Sequence, residues 1–283
     1  MAEFEDRFTP DGDQVPFPSD NDVLYEKEGD FAWITLNRPL ILNAVDWSLR
    51  RGLARHLETA AADDEVRAMI LRGAGRAFSA GGDLQSWPEP DDGVETPSMM
   101  DIVARIWGLP KPVIAAVRGH AVGLGFELAG LCDITIAADD AKLGEIQIRH
   151  GFGPPILITP FLAGLKGAKE ILMLGGMMDG AEAQRLGIVN RVVPEDQVFD
   201  EAAKMARQFA ALPRTTVALN KLLVNRVYEL AGVRDAFDYS SDETLAALSE
   251  RTRDDETAAE RLRVLQADGW QAFLSKRDEA FRT

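Results

Sequence analysis

Pro112-Val113-Ile114-Ala115-Ala116-Val117 runs through Arg118 into Gly119-His120-Ala121-Val122-Gly123-Leu124-Gly125-Phe126-Glu127-Leu128, and this stretch decides the fold. An apolar run of six residues bounded by turn residues reads as a short buried strand. The glycine-rich turn after it opens a helix over Phe126–Leu131. Glycine lets backbone bend sharply and approach a ligand. The first N–H groups of a helix have no internal partner and favour negative charge. A second turn of this kind, Gly73-Ala74-Gly75-Arg76-Ala77-Phe78-Ser79-Ala80-Gly81-Gly82-Asp83-Leu84, follows a buried strand at Ala68–Arg72. Glycine content alone favours ordinary tight turns; if the two converge, their backbone donors form an oxyanion hole. Neither turn fits the dinucleotide fingerprint, and there is no phosphate-loop motif.

Working outward, Val23–Glu28 and Phe31–Leu36 read as a hairpin about Glu28-Gly29-Asp30. Leu49, Leu53, Leu57 and Ala61 recur at helical spacing over Trp47–Ala61, Ser98–Trp107 is also helical, and Ile134–Ala137 is a third buried strand. Strands alternating with helices predict an α/β core. After Gly167 the pattern turns helical: Ala168–Leu174, Ala181–Leu186, Pro194–Ala211, Thr215–Ala231, then nearly everything from Asp235, broken near Gly269. Three regions follow: a flexible acidic N-terminal arm (1–22), a core (23–200) and a helical C-terminal region (201–283) suited to packing or oligomerisation.

The chain has 283 residues, enough for a substantial core, and its 46% hydrophobic and 27% charged residues are ordinary for a globular protein. A formal net charge of −15 argues against nucleic acid and anionic membrane as partners. An anionic cofactor stays possible, because a few local cations outweigh distant, screened carboxylates. The single Cys132, in an apolar run, excludes an internal disulfide and a cysteine metal cluster and reads as a buried thiol. His56, His120 and His150 are too scattered for a metal site, so no metal is expected. The acidic start carries neither a secretory nor a transit pattern, and no run approaches the ~20 apolar residues of a membrane helix, so the expected setting is cytoplasmic.

Several motifs in order resemble the enoyl-CoA hydratase/isomerase (crotonase) superfamily. They are Leu36-Asn37-Arg38-Pro39 with Asn43-Ala44, Phe78–Leu84, Lys111–Val117 leading to Glu127, and Cys132-Asp133-Ile134 with Ala137. Leu143-Gly144, Gly151, Pro154 and Gly187–Pro194 complete the pattern, and Ala272–Arg277 is a weaker echo of the family's C-terminal stretch. No one motif is decisive; their order and spacing are specific.

The resemblance implies a spiral of ββα repeats with a helical C-terminal oligomerisation region, assembled as a homotrimer or homohexamer. It implies an acyl-CoA thioester substrate, with coenzyme A part of the substrate and no tightly bound cofactor. The backbone N–H groups of Gly82 and Leu124 would hold the thioester oxygen, though the family usually has Gly where Leu124 stands. Glu127 falls on the first of the family's two catalytic glutamates. The second falls on Gln147, whose amide orients water but cannot exchange a proton as a carboxylate does. Glu145, two residues upstream, is the candidate replacement, and His150 a further titrating candidate; for each, a structural role competes. Ala44, Ala80 and Asp83 fall where the family meets CoA. Phe273 and Lys276 match its C-terminal CoA contacts, with a helix-surface role competing. The acidic, irregular segment from Gln85 to Ser98, including Trp87, is expected to wall the acyl pocket. Three functions compete: enoyl-CoA hydratase; isomerase or C–C bond hydrolase on the same scaffold, motivated by Gln147; and a catalytically silent CoA-binding protein.

Overall fold

The computed structural model of the chain describes residue 9 and residues 13–86, 88–239, 243–252 and 255–281, apart from the side chains of 244, 258, 262, 266 and 270. Its strands in chain order are β1 (Val23–Glu28), β2 (Phe31–Leu36), β3 (Ala68–Gly73), β4 (Val113–Val117), β5 (His120–Val122), β6 (Ile134–Ala138), β7 (Lys142–Gly144) and β8 (Arg191–Val193). The main sheet runs β1-β2-β3-β4-β6-β8; the β1–β2 hairpin is antiparallel and every later pairing parallel. All six residues of β2 are buried, as expected of a strand covered on both faces. Helix α6 (Val198–Ala210) packs across β2, β3, β4 and β6, where Phe199 meets Trp33 edge-on with ring centroids 6.0 Å apart.

A second, thinner layer accompanies the sheet. β5 pairs with β7, and single bridges join Val45 to Gly82, Ser79 to Ala121 and Leu143 to Met178. Each central strand is thus followed by a short extended piece in the second layer: β3 by 79–82, β4 by β5, β6 by β7. This is the spiral of repeats that the resemblance implies. The sequence pattern did not reveal β5, β7 and β8, since three residues are too few to show a period.

The helices begin where side chains satisfy their free N–H groups. Asp46 accepts from Ser48 and Leu49 to start α1 (Trp47–Ala62), and Ser98 with Asp101 forms a capping box for α2 (Met99–Gly108). Next come α3 (Leu124–Leu131), α4 (Thr159–Leu174) and α5 (Gly180–Arg185). The fourth starts nine residues before the apolar pattern suggests, because Gly164, at φ 64°, joins two helical pieces across a kink. Beyond α6 lie α7 (Arg214–Leu230), α8 (Val233–Phe237), α9 (Glu243–Arg251) and α10 (Glu256–Asp278), the last kinked at Gly269 as the sequence predicts. The boundary expected at 200/201 falls inside α6, so the helices that leave the sheet begin with α7. Among the described residues no helix is long and apolar enough to cross a membrane.

The N-terminal arm departs from expectation from residue 13 onward. Val15 is buried, and Asp22 accepts from the Ser48 hydroxyl at 2.7 Å and lies 3.4 Å from Arg38. The earlier part of that expectation, residues 1–8 and 10–12, lies outside the described residues. Cys132 is buried, as read from its apolar run, and burial pushes its thiol pKa up.

Candidate active site

The two glycine turns do converge. Segments 42–45 and 79–83 lie side by side: Ala80 N–H donates to Leu42 O, Val45 to Gly81 O and Asp83 to Val45 O, at 2.7–2.9 Å. The Ser79 hydroxyl also donates to Asn43 O at 2.8 Å. Ser79 continues the ladder to β5, donating to His120 O and accepting from Val122. Gly81, at φ 94°, sits so close to the second turn that a Cβ there would lie 2.7 Å from Val122 O and 3.4 Å from Leu124 N. The turn at Gly123 has φ 56° and ψ −127°, backbone that glycine adopts without strain. Among the described residues, neither the Gly82 nor the Leu124 N–H donates a hydrogen bond. A Cβ on Gly82 would meet nothing within 4 Å. The Leu124 side chain is buried in the core, so only its main chain faces the turn.

Three residues beyond Leu124 on α3, Glu127 is completely buried. One carboxylate oxygen accepts from Gln147 Nε2 at 2.9 Å and the other from Ile156 N–H at 3.0 Å. Gln147 in turn packs on Gly123, where a Cβ would lie 3.3 Å from its Cδ. The decisive feature is Glu145, which turns inward beside Glu127 and accepts from the Thr159 hydroxyl at 2.7 Å. A second carboxylate is therefore present, supplied from two positions before the expected one.

The two carboxyl groups differ. Burial, and then the neighbouring charge of Glu145, push Glu127 well above the usual carboxylate range. Burial raises Glu145 to about 7, opposed first by the Thr159 hydroxyl. Two neighbouring buried carboxylates resist ionising together, so Glu127 keeps its proton to higher pH than Glu145 does. Glu145 Oε2 and Gln147 Oε1 are buried acceptors with no protein N–H or hydroxyl donor.

His150 lies apart from this pair. Its ring stacks on Phe273 at 5.4 Å and faces Arg277, while burial and that guanidinium hold it down at about 4. Phe273 is itself buried against His150 rather than presented as a free face, and exposed Lys276 pairs with Glu260 at 3.5 Å. Ala44 and Ala80 sit on the paired segments beside Gly82. The Asp83 carboxylate turns inward to Arg38 at 3.6 Å, and its N–H donates to Val45 O. The segment expected to wall the acyl pocket is tied to α1: Arg50 pairs with Glu89 and Arg51 with Asp92. Trp87 lies outside the described residues.

Residues 26–283 match the model of the enoyl-CoA hydratase/isomerase family. This chain belongs to that family. A probable enoyl-CoA hydratase of Rhizobium meliloti is 34% identical over 271 residues, 92% of this chain and 97% of the relative. The 1,2-epoxyphenylacetyl-CoA isomerase of Escherichia coli is 32% identical over 269 residues, 92% and 97% of the two chains. A crystal structure of an enoyl-CoA hydratase/isomerase from Xanthobacter autotrophicus Py2 superposes with a TM-score of 0.82 at 35% identity, covering 93% of this chain and 99% of that one. The chain is an enzyme of the hydratase/isomerase family.

Three supports of this site escaped the sequence reading. Arg38, quoted there only as part of a motif, is buried among Asp22, Asp46 and Asp83, and donates to Asp46 at 2.5 Å. It ties α1 to the turn bearing Gly82. Thr159 and the Ile156 N–H carried no local signal at all, because they reach the glutamates only through the fold. A cavity of about 810 Å3 opens beside the pair, with Glu145 and Gln147 in its lining and residues of α9 and α10 opposite.

Proposed function

We propose that this enzyme adds water across the double bond of a 2-enoyl-CoA. The observation that carries the reading is the buried carboxyl pair Glu127–Glu145 beside two N–H groups with no protein acceptor. The thioester oxygen would accept from Gly82 and Leu124, so that negative charge developing on it meets fixed donors; one such donor contributes about 3–4 kcal/mol. Groups whose surroundings push their pKa values apart take opposite roles. Glu145, ionised, takes a proton from a water held also by Gln147 Oε1, and the oxygen bonds to the β-carbon. Electrons of the double bond move to the thioester oxygen as an enolate. Glu127 then gives its proton to the α-carbon, and the carbonyl re-forms. Gln147 orients, Glu145 and Glu127 exchange protons. The paired segments bearing Ala44 and Ala80 beside Gly82 are the proposed path for CoA.

A second reading is isomerisation. Both Glu127 oxygens already accept from the protein, which suits a group that lifts a proton from one carbon and returns it to another, and the Escherichia coli relative is named an isomerase. Turnover of enoyl-CoA thioesters in heavy-oxygen water separates the two. The expected product gains one water with the label on its β-carbon. An isomeric product without label would overturn hydration in favour of the second reading.

A further inference from the structure

The cavity beside the glutamates is larger and more cationic than a short enoyl group requires. Its volume of about 810 Å3 lies near the upper end of the ~300–1,000 Å3 typical of small-molecule pockets. Its floor is Glu145 and Gln147, the β-carbon end of the proposed chemistry, and none of residues 42–45 or 79–83 lines it. The cavity therefore meets the site at the Glu145–Gln147 end and not along the proposed CoA path. Phe152, Leu172 and Leu248 give it an apolar middle, and Arg251 and Arg261 stand on the helical wall.

Those two arginines are unusual in this chain. With a net charge of −15, most of its arginines have a carboxylate partner within 4 Å. Arg251 makes no ion pair or hydrogen bond among the described residues, and Arg261 donates only to the backbone oxygen of Arg149. Asp255 shares the wall, with Oδ1 accepting the Thr257 N–H at 2.9 Å. Guanidinium groups present a planar fork matched to a carboxylate.

Resting on the acyl-CoA reading above, we propose that the preferred acyl group ends in a second carboxylate, received by Arg251 and Arg261 across an apolar stem. Two 2-enoyl-CoA thioesters of equal medium length, one ending in a methyl and one in a carboxylate, test this by binding and by kcat/KM. The carboxylate-tailed thioester should be favoured by on the order of ten- to a hundred-fold. Arg251→Met with Arg261→Met should abolish that ratio, whereas Arg263→Met, the same charge change on the exposed side of α10, should keep it. Equal use of both thioesters would overturn the inference while leaving hydration standing. Loss of binding of free CoA in the double variant would also overturn it, by assigning the arginines to a CoA phosphate. A carboxylate preference in binding without water addition would support the anion pocket and remove the hydration reading.

Discussion

Consecutive helices α6 and α7 treat their apolar residues in opposite ways. The first, 13 residues long, buries Val198, Ala202, Ala203, Met205 and Ala206 against the sheet. The second, 17 residues long, buries only Asn225, and is fastened by polar bonds: Asn225 to Trp107 O, and Lys221 to Asp133 and to the backbone oxygens of Ile106 and Lys111. Leu219, Leu222, Leu223, Val224, Val227 and Leu230 stay 46–74% exposed. A contiguous apolar face of this kind marks an interaction surface. Helix α6 closes the core of the sheet, whereas α7 leaves an apolar face that the homo-oligomer implied by the resemblance would cover. Paired substitutions can break that contrast. Ala206→Asp should unfold the protomer, since a buried unpaired charge costs several kcal/mol, roughly 3 or more. Leu223→Asp should leave the circular dichroism unchanged and lower the sedimenting mass. Wild-type mass in Leu223→Asp would remove the interface.

Both glutamates precede α7 and are buried, so the chemistry should respond to their own ionisation. The expected pH–rate curve rises through about 7 as Glu145 ionises, then falls at higher pH as Glu127 loses its proton. Glu145→Gln should lower kcat by about 10²–10⁴-fold and remove the rising limb. A rising limb retained in that variant would assign it to another group.

The same division governs what could be read from residues alone. The hairpin, the buried strands and α1 announce themselves because their packing partners impose a period on consecutive residues. Gly82, Leu124 and Glu127 belong to motifs whose spacing survives in the sequence, and the structure gathers all three with Gln147. Glu145 was legible only as an alternative, because side-chain direction depends on the backbone at Gly144 and Ile146 and on Thr159, fourteen residues away. His150 and Phe273 were legible as residues but not as each other's partners. The arginines of the helical wall lie in a region where charged residues are frequent, and nothing local separates a paired Arg from an unpaired one.

The smallest effect distinguishes the two regions most directly. A carboxyl raised from its ordinary value near 4.5 to about 7 means that the folded chain holds a proton the unfolded chain has released. Across that window the native state binds more protons, so this group's contribution to stability falls as pH rises and levels off above about 7. Glutamine has no such proton, and its carbonyl can still accept the Thr159 hydroxyl bond now made by Glu145 Oε1. Glu145→Gln should therefore match the wild type near pH 4.5 and exceed it by about 1–3 kcal/mol at pH 8 in urea unfolding. Leu223→Asp, compared as an isolated protomer, should show no such pH-dependent gain, because its helix holds no raised carboxyl. A constant difference between Glu145→Gln and wild type at both pH values would mean that Glu145 is not the buried, proton-holding partner of Glu127.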